Sequence, residues 1–188
     1  MRRLLLIAPV ALVLVPSAAG RDALIRPGNG IGRIDLGMTL AQVKRALGPH
    51  DQGWSESRGL GQRYLELSWD SGPADYFAVA LLGRPGRLRV GSVTTTRPAE
   101  SLRGVGPGAT LAKLKRTFRG LRCRTVWPAG GGTIIQTEYW LGARNGPQTI
   151  FVPGKWRFYR TNPAGRVAYV MVRSPGAVQG VQTQPCTR

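Results

Sequence analysis

The sequence predicts an α+β fold of two tandem repeats, each a short helical segment followed by an antiparallel sheet, with the helices on one sheet face. Three observations carry this reading. An offset of 71 residues lays Gly37-Met38-Thr39-Leu40-Ala41-Gln42-Val43-Lys44-Arg45-Ala46 over Gly108-Ala109-Thr110-Leu111-Ala112-Lys113-Leu114-Lys115-Arg116-Thr117, with six of ten positions identical. Each of these segments has a legible helix start. After each, the apolar period changes from helical to alternating, as strands require.

In the first copy Thr39 and Gln42 form a T-x-x-Q capping box, and Met38 and Val43 stand at the positions of a hydrophobic staple. Leu40, Val43 and Leu47 share one helical face, and Gly48-Pro49 is a stop signal. The second copy repeats the stripe as Leu111, Leu114 and Phe118 and ends near Gly120. There Lys113 replaces the glutamine, so a weaker N-terminus is expected. Strands are predicted at 63–69, 76–82 and 88–95 in the first copy, with Gly83-Arg84-Pro85-Gly86 as a turn and Gly91 at a bulge. In the second copy they are predicted at 122–127, 133–141, 148–152, 156–160 and 167–173. Asn162-Pro163-Ala164-Gly165 should make the last two a hairpin. At the 71-residue offset Trp69 also meets Trp140.

The division that follows is an export signal at 1–19, an N-terminal tail at 20–29, repeat 1 at 30–96, a linker at 97–106, repeat 2 at 107–173 and a C-terminal tail at 174–188. The signal is read from Met1-Arg2-Arg3, an apolar run of about a dozen residues and Pro16-Ser17-Ala18-Ala19. That run is short of the roughly 20 residues needed to span a bilayer. A secreted or extracytoplasmic location is therefore expected, with envelope association open and no transmembrane segment after cleavage. In that oxidising setting Cys123 and Cys186 are most simply one disulfide, free thiols being the weaker alternative.

The 188 residues carry 27 Lys+Arg against 9 Asp+Glu, a formal charge of +18, yet 42% of them are hydrophobic. A disordered polycation is thereby excluded. The charge draws acidic surfaces in a salt-dependent way, whether it is selected or follows from an arginine-rich composition. No cofactor or metal is expected, because two cysteines and one histidine have no short ligand spacing. His50 lies in a Gly-Pro-His-Asp turn with no nucleophile placed to use it, and Glu66, Asp70, Asp75 and Glu138 have nothing fixing a hydrolytic separation. An enzyme is not expected, and nucleic acid is not an expected partner of an exported chain.

Leu36-Gly37-Met38-Thr39-Leu40-Ala41-Gln42-Val43 resembles the helix opening of the β-lactamase inhibitory protein family and of the related small outer-membrane assembly lipoproteins. The resemblance implies two sheets forming a concave surface that grips a partner protein. Cys123 lies as far after Gly108 as the family's post-helix cysteine lies after its glycine, but the family's partner cysteine on the following strand is missing. Asp75-Tyr76-Phe77-Ala78 resembles the family's Asp-Tyr-Tyr-Ala hairpin, so Asp75, Tyr76 and Phe77 become candidate binding residues. Tyr139, Trp140, Trp156 and Arg157 join them as a candidate aromatic surface, core packing being the alternative. The expected function is a secreted, non-enzymatic, inhibitor-like module binding an unknown extracellular or envelope protein. The alternative is a basic envelope module on anionic cell-wall polymer or lipid headgroups.

Overall fold

Both helix entrances are built alike. The computed structural model describes residues 24–58, 61–70, 75–128, 136–154, 165–177 and 181–186. Helix α1 spans Leu40–Leu47 and α2 spans Leu111–Thr117. Gly37 and Gly108 take φ of 83° and 84°, the left-handed region open to glycine. Each N–H donates 2.8 Å to a strand carbonyl, of Val90 and Val167 respectively. Thr39 accepts from the Gln42 N–H at 3.2 Å while Gln42 Oε1 accepts from the Thr39 N–H at 2.8 Å, completing the capping box. Thr110 accepts from the Lys113 N–H at 3.2 Å, and the Lys113 side chain instead donates to Gly104 O at 2.6 Å.

The strands are β1 (Ile25–Arg26), β2 (Gly30–Ile31), β3 (Ile34–Asp35), β4 (Gln52–Arg58), β5 (Gln62–Asp70), β6 (Tyr76–Gly83) and β7 (Arg89–Thr95). After α2 follow β8 (Arg122–Pro128), β9 (Gln136–Gly142), β10 (Gln148–Pro153), β11 (Val167–Arg173) and β12 (Val181–Pro185). Strands β1 to β3 form a small antiparallel sheet, and the other nine form one antiparallel sheet in the order β12-β8-β9-β10-β11-β7-β6-β5-β4. Gly91 is the extra residue of a bulge, since Ala80 pairs with Ser92 and Leu81 with Val90.

The expected α+β class of tandem helix-plus-sheet repeats is overturned. Among the described residues the protein is mostly β, with two α-helices and two antiparallel sheets. The physical reason lies at β7 and β11, which pair from Thr95 opposite Val170 to Ser92 opposite Arg173 and make the strands of both halves one continuous sheet. The helices, eight and seven residues long, are brief turns laid on it. Segments expected as tails or loops also become strands, namely β1 to β4 and β12. The segment expected as a linker is packed, with Val105 fully buried and Glu100 nearly so. Strand β11 pairs with β10; the strand expected at 156–160 lies outside the described residues.

The main core fills the space between helices and sheet, with Val43 and Leu114 from the helices against Leu67, Phe77, Val79, Val93, Phe151 and Val170. Ile25, Ile31 and Ile34 of the small sheet join it. A second cluster, Trp140, Ile150, Val152, Ala168 and Tyr169, occupies the opposite sheet face. Burial on both faces explains why β10 and β11 read as near-continuous apolar runs rather than as alternation. The Cys123–Cys186 disulfide is present, and β12 pairs with β8 immediately beside it. Among the described residues no helix is long and apolar enough to cross a membrane. The disulfide is compatible with an extracytoplasmic protein.

Candidate functional site

Successive strand residues point to opposite faces, and this rule separates the expected site residues. Phe77 belongs to the helix-side core, 2% exposed, edge-on to Trp69 at 6.3 Å with the Arg97 guanidinium 5.2 Å above its ring. Tyr76 therefore lies on the helix-free face, where its hydroxyl donates to Glu66 Oε1 at 3.3 Å. Tyr64 donates to the other Glu66 oxygen. Asp75 is half-buried and ion-pairs with Arg97 Nε at 2.5 Å. Phe77 thus cannot serve as an exposed anchor beside Tyr76.

Tyr139 and Trp140 divide in the same way. Tyr139 packs on the helix-side core with Lys115 Nζ 5.3 Å from its ring centroid. Trp140 is on the helix-free face, 6% exposed, with the guanidiniums of Arg122 and Arg124 at 4.9 and 5.4 Å. Trp69 lies on the helix side, so its match with Trp140 at the 71-residue offset joins residues of opposite faces. Trp156 and Arg157 lie outside the described residues. Of the described candidates, Phe77 and Tyr139 lie on the helix side of the sheet and Tyr76 and Trp140 on the helix-free side.

Beside Trp140 is a charged cluster that sequence reasoning missed. Glu138, 3% exposed, accepts from Arg124 Nε at 2.8 Å and lies 2.7 Å from Arg124 Nη2 and 3.6 Å from Arg173 Nη2. Gln148 Oε1 accepts from both arginines, at 3.0 and 3.3 Å. Burial pulls Arg173 below the ordinary arginine range, with Arg124 adding to the shift and Glu138 opposing it. Burial, reinforced by Glu138, pushes the Tyr169 hydroxyl upward. The spacing of Arg124, Glu138, Gln148 and Arg173 on four neighbouring strands gives no local sequence signal. Each of these acids is committed to its own partners: Glu66 to tyrosines, Asp75 to Arg97, Glu138 to arginines.

Among the described residues a groove lies beside each helix. One, of about 740 Å³, is lined by Pro27, Leu102, Arg103, Arg116, Thr117, Phe118, Arg119, Gly120 and Leu141. The other, of about 450 Å³, includes Lys44, Arg87 and Arg89 around Leu40 and Leu88. Among the described residues neither lining contains a carboxylate. Among the described residues no cluster of His, Cys, Asp or Glu could hold a metal ion. No protein family, curated protein or solved structure matches the chain.

Proposed function

We propose that the protein is an exported binding module without catalytic activity, held to anionic polymer or headgroups of the cell envelope by its cationic surface. The observation that carries this is the character of the exposed surface. Among the described residues Leu24 is the one large hydrophobic side chain that is exposed, while six cations and no acid line the two grooves. With a formal charge of +18, such a surface attracts anions over a distance set by ionic strength. The test is sedimentation of the purified mature protein with isolated envelopes across a salt series. Bound protein should fall at least about tenfold between low and high salt, as screening of exposed charges requires. Binding indifferent to salt would overturn the reading.

A second reading, a grip on an extracytoplasmic protein through the helix-free sheet face, is favoured by the half-buried tyrosine pair on Glu66. Tyr64 and Tyr76 present rigid amphipathic rings beside Ala78 and Ala80, the chemistry that anchors protein interfaces. Salt-resistant capture of one protein, lost on Tyr64→Ala and Tyr76→Ala, would select it.

A further inference from the structure

We propose that the groove between the end of α2 and the turn at Leu102 is a binding site for a phosphate-bearing amphiphile, a lipid phosphate headgroup with the first part of its apolar chain. The inference rests on the reading that the protein engages envelope anions, and assigns that engagement a particular place. Arg103, Arg116 and Arg119 line the groove beside Thr117 and Gly120, and Pro27, Leu102, Phe118 and Leu141 supply an apolar wall. Among the described residues none of these three arginines pairs with a carboxylate, whereas Arg26, Arg97, Arg124 and Arg173 all do. Guanidinium forks suit phosphate oxygens bidentately, and an apolar wall lowers the local dielectric and strengthens the contact.

The position of Arg103 is fixed from two sides. Leu102 and Val105 exchange backbone hydrogen bonds of 2.9 Å in both directions, and the two residues between them, Arg103 and Gly104, have φ of 52° and 72°. That is the primed-turn geometry normally given to asparagine or glycine. Among the described residues Arg103 is the one non-glycine with positive φ, and Lys113 Nζ clamps the turn through Gly104 O at 2.6 Å. Holding an arginine in a backbone conformation that disfavours its side chain points to a requirement for that side chain at the groove rim. Phe118, 7% exposed, gives the apolar wall a rigid base against Phe151, with ring centroids 5.6 Å apart.

The experiment is titration calorimetry of the mature protein with monomeric dihexanoyl phosphatidic acid, dihexanoyl phosphatidylcholine and inorganic phosphate. Two triple variants of equal charge are compared: Arg103→Gln/Arg116→Gln/Arg119→Gln in the groove, and Arg45→Gln/Arg84→Gln/Arg144→Gln at exposed positions outside it. The phosphatidic acid should bind at least about tenfold more tightly than the other two ligands. The groove triple should lose about tenfold or more while the outer triple stays within about twofold, the contrast expected of paired rather than diffuse charge. Arg119→Gln alone, after the end of α2, should lose about threefold and keeps the test valid if the groove triple misfolds. Equal loss in both triples, or inorganic phosphate binding as tightly as the lipid, would overturn the assignment. Envelope sedimentation with the same variants separates the two readings. If the groove triple still sediments in a salt-dependent way while no variant binds phosphatidic acid, the groove assignment falls and the envelope reading stands.

Discussion

Replacing Glu138 by glutamine removes the one anion that holds Arg124 and Arg173 together. The side chains of Glu138, Arg124 and Arg173 are 4%, 15% and 10% exposed, so solvent does little to compensate the loss. Breaking a buried pair by removing one partner costs about 3–5 kcal/mol, because the remaining charge stays buried and unpaired. Here two guanidiniums are left facing each other, with Gln148 Oε1 as their shared acceptor. Against a total stability of about 5–15 kcal/mol this is a large fraction. In equilibrium urea unfolding, with a slope of about 2 kcal/mol/M, the midpoint should fall by roughly 2 M at unchanged slope. The triple variant Glu138→Leu/Arg124→Met/Arg173→Met, which removes every charge of the cluster, should recover most of that loss. A single-variant loss below about 1 kcal/mol, or a triple variant no more stable than the single one, would refute the account of a desolvated ion cluster.

Cys186→Ser should cost about 4 kcal/mol by loop-entropy reasoning for a 63-residue separation, and protease mapping should show β12 released from β8 first. Thr39→Ala and Thr110→Ala should each cost about 1 kcal/mol in thermal or urea unfolding. Gln42→Ala should add a further loss at α1, whereas Lys113→Ala should instead loosen the turn at Gly104, seen as faster amide exchange at Val105. Burial raises the Glu100 pKa, Asp75 adds to the push upward, and Thr95 and Arg97 oppose them; among the described residues Glu100 Oε2 has no hydrogen-bond partner. A carboxyl raised on folding favours the folded state below its unfolded pKa, and that advantage disappears as pH rises through its folded pKa. Glu100→Gln should therefore unfold at higher urea than the wild type at pH 7, with the gap closing toward pH 4. A gap that widened on acidification would reverse the sign of the argument.

What the sequence announced was local chemistry. The capping residues, the Gly91 bulge and the central strands all follow from residue types at short spacing. What it concealed was non-local. The pairing of β7 with β11 leaves no periodic trace, yet it decides that the protein is mostly β rather than a pair of helix-and-sheet units. Strands β4 and β12 read Gln-Gly-Trp-Ser-Glu-Ser-Arg and Val-Gln-Thr-Gln-Pro, because outermost strands need little apolar alternation to pair. The two-residue strands β1 to β3 are too short to show any period. Matching Trp69 to Trp140 failed for a related reason. A one-residue difference in register exchanges the two faces of a strand, and residue type alone does not report register.

The same distinction governs the surface. Among the described residues Asp35 is paired with Arg26, Glu66 with two tyrosines, Asp75 with Arg97 and Glu138 with Arg124 and Arg173, Asp51 accepts from the Asp70 N–H, and Glu100 is buried. A chain with three times as many cations as acids, with several of those acids turned inward or paired, has few carboxylates left to balance its outer field. Among the described residues Arg116 and Arg119, at the end of α2, have no carboxylate partner, and they stand against the apolar side chains of the groove. Overall charge can draw the protein to any anionic surface, but only a groove that joins guanidinium groups to buried hydrocarbon can prefer one anion over another. On the proposed reading, composition accounts for attraction in general, and selectivity rests on where Arg103, Arg116 and Arg119 are held.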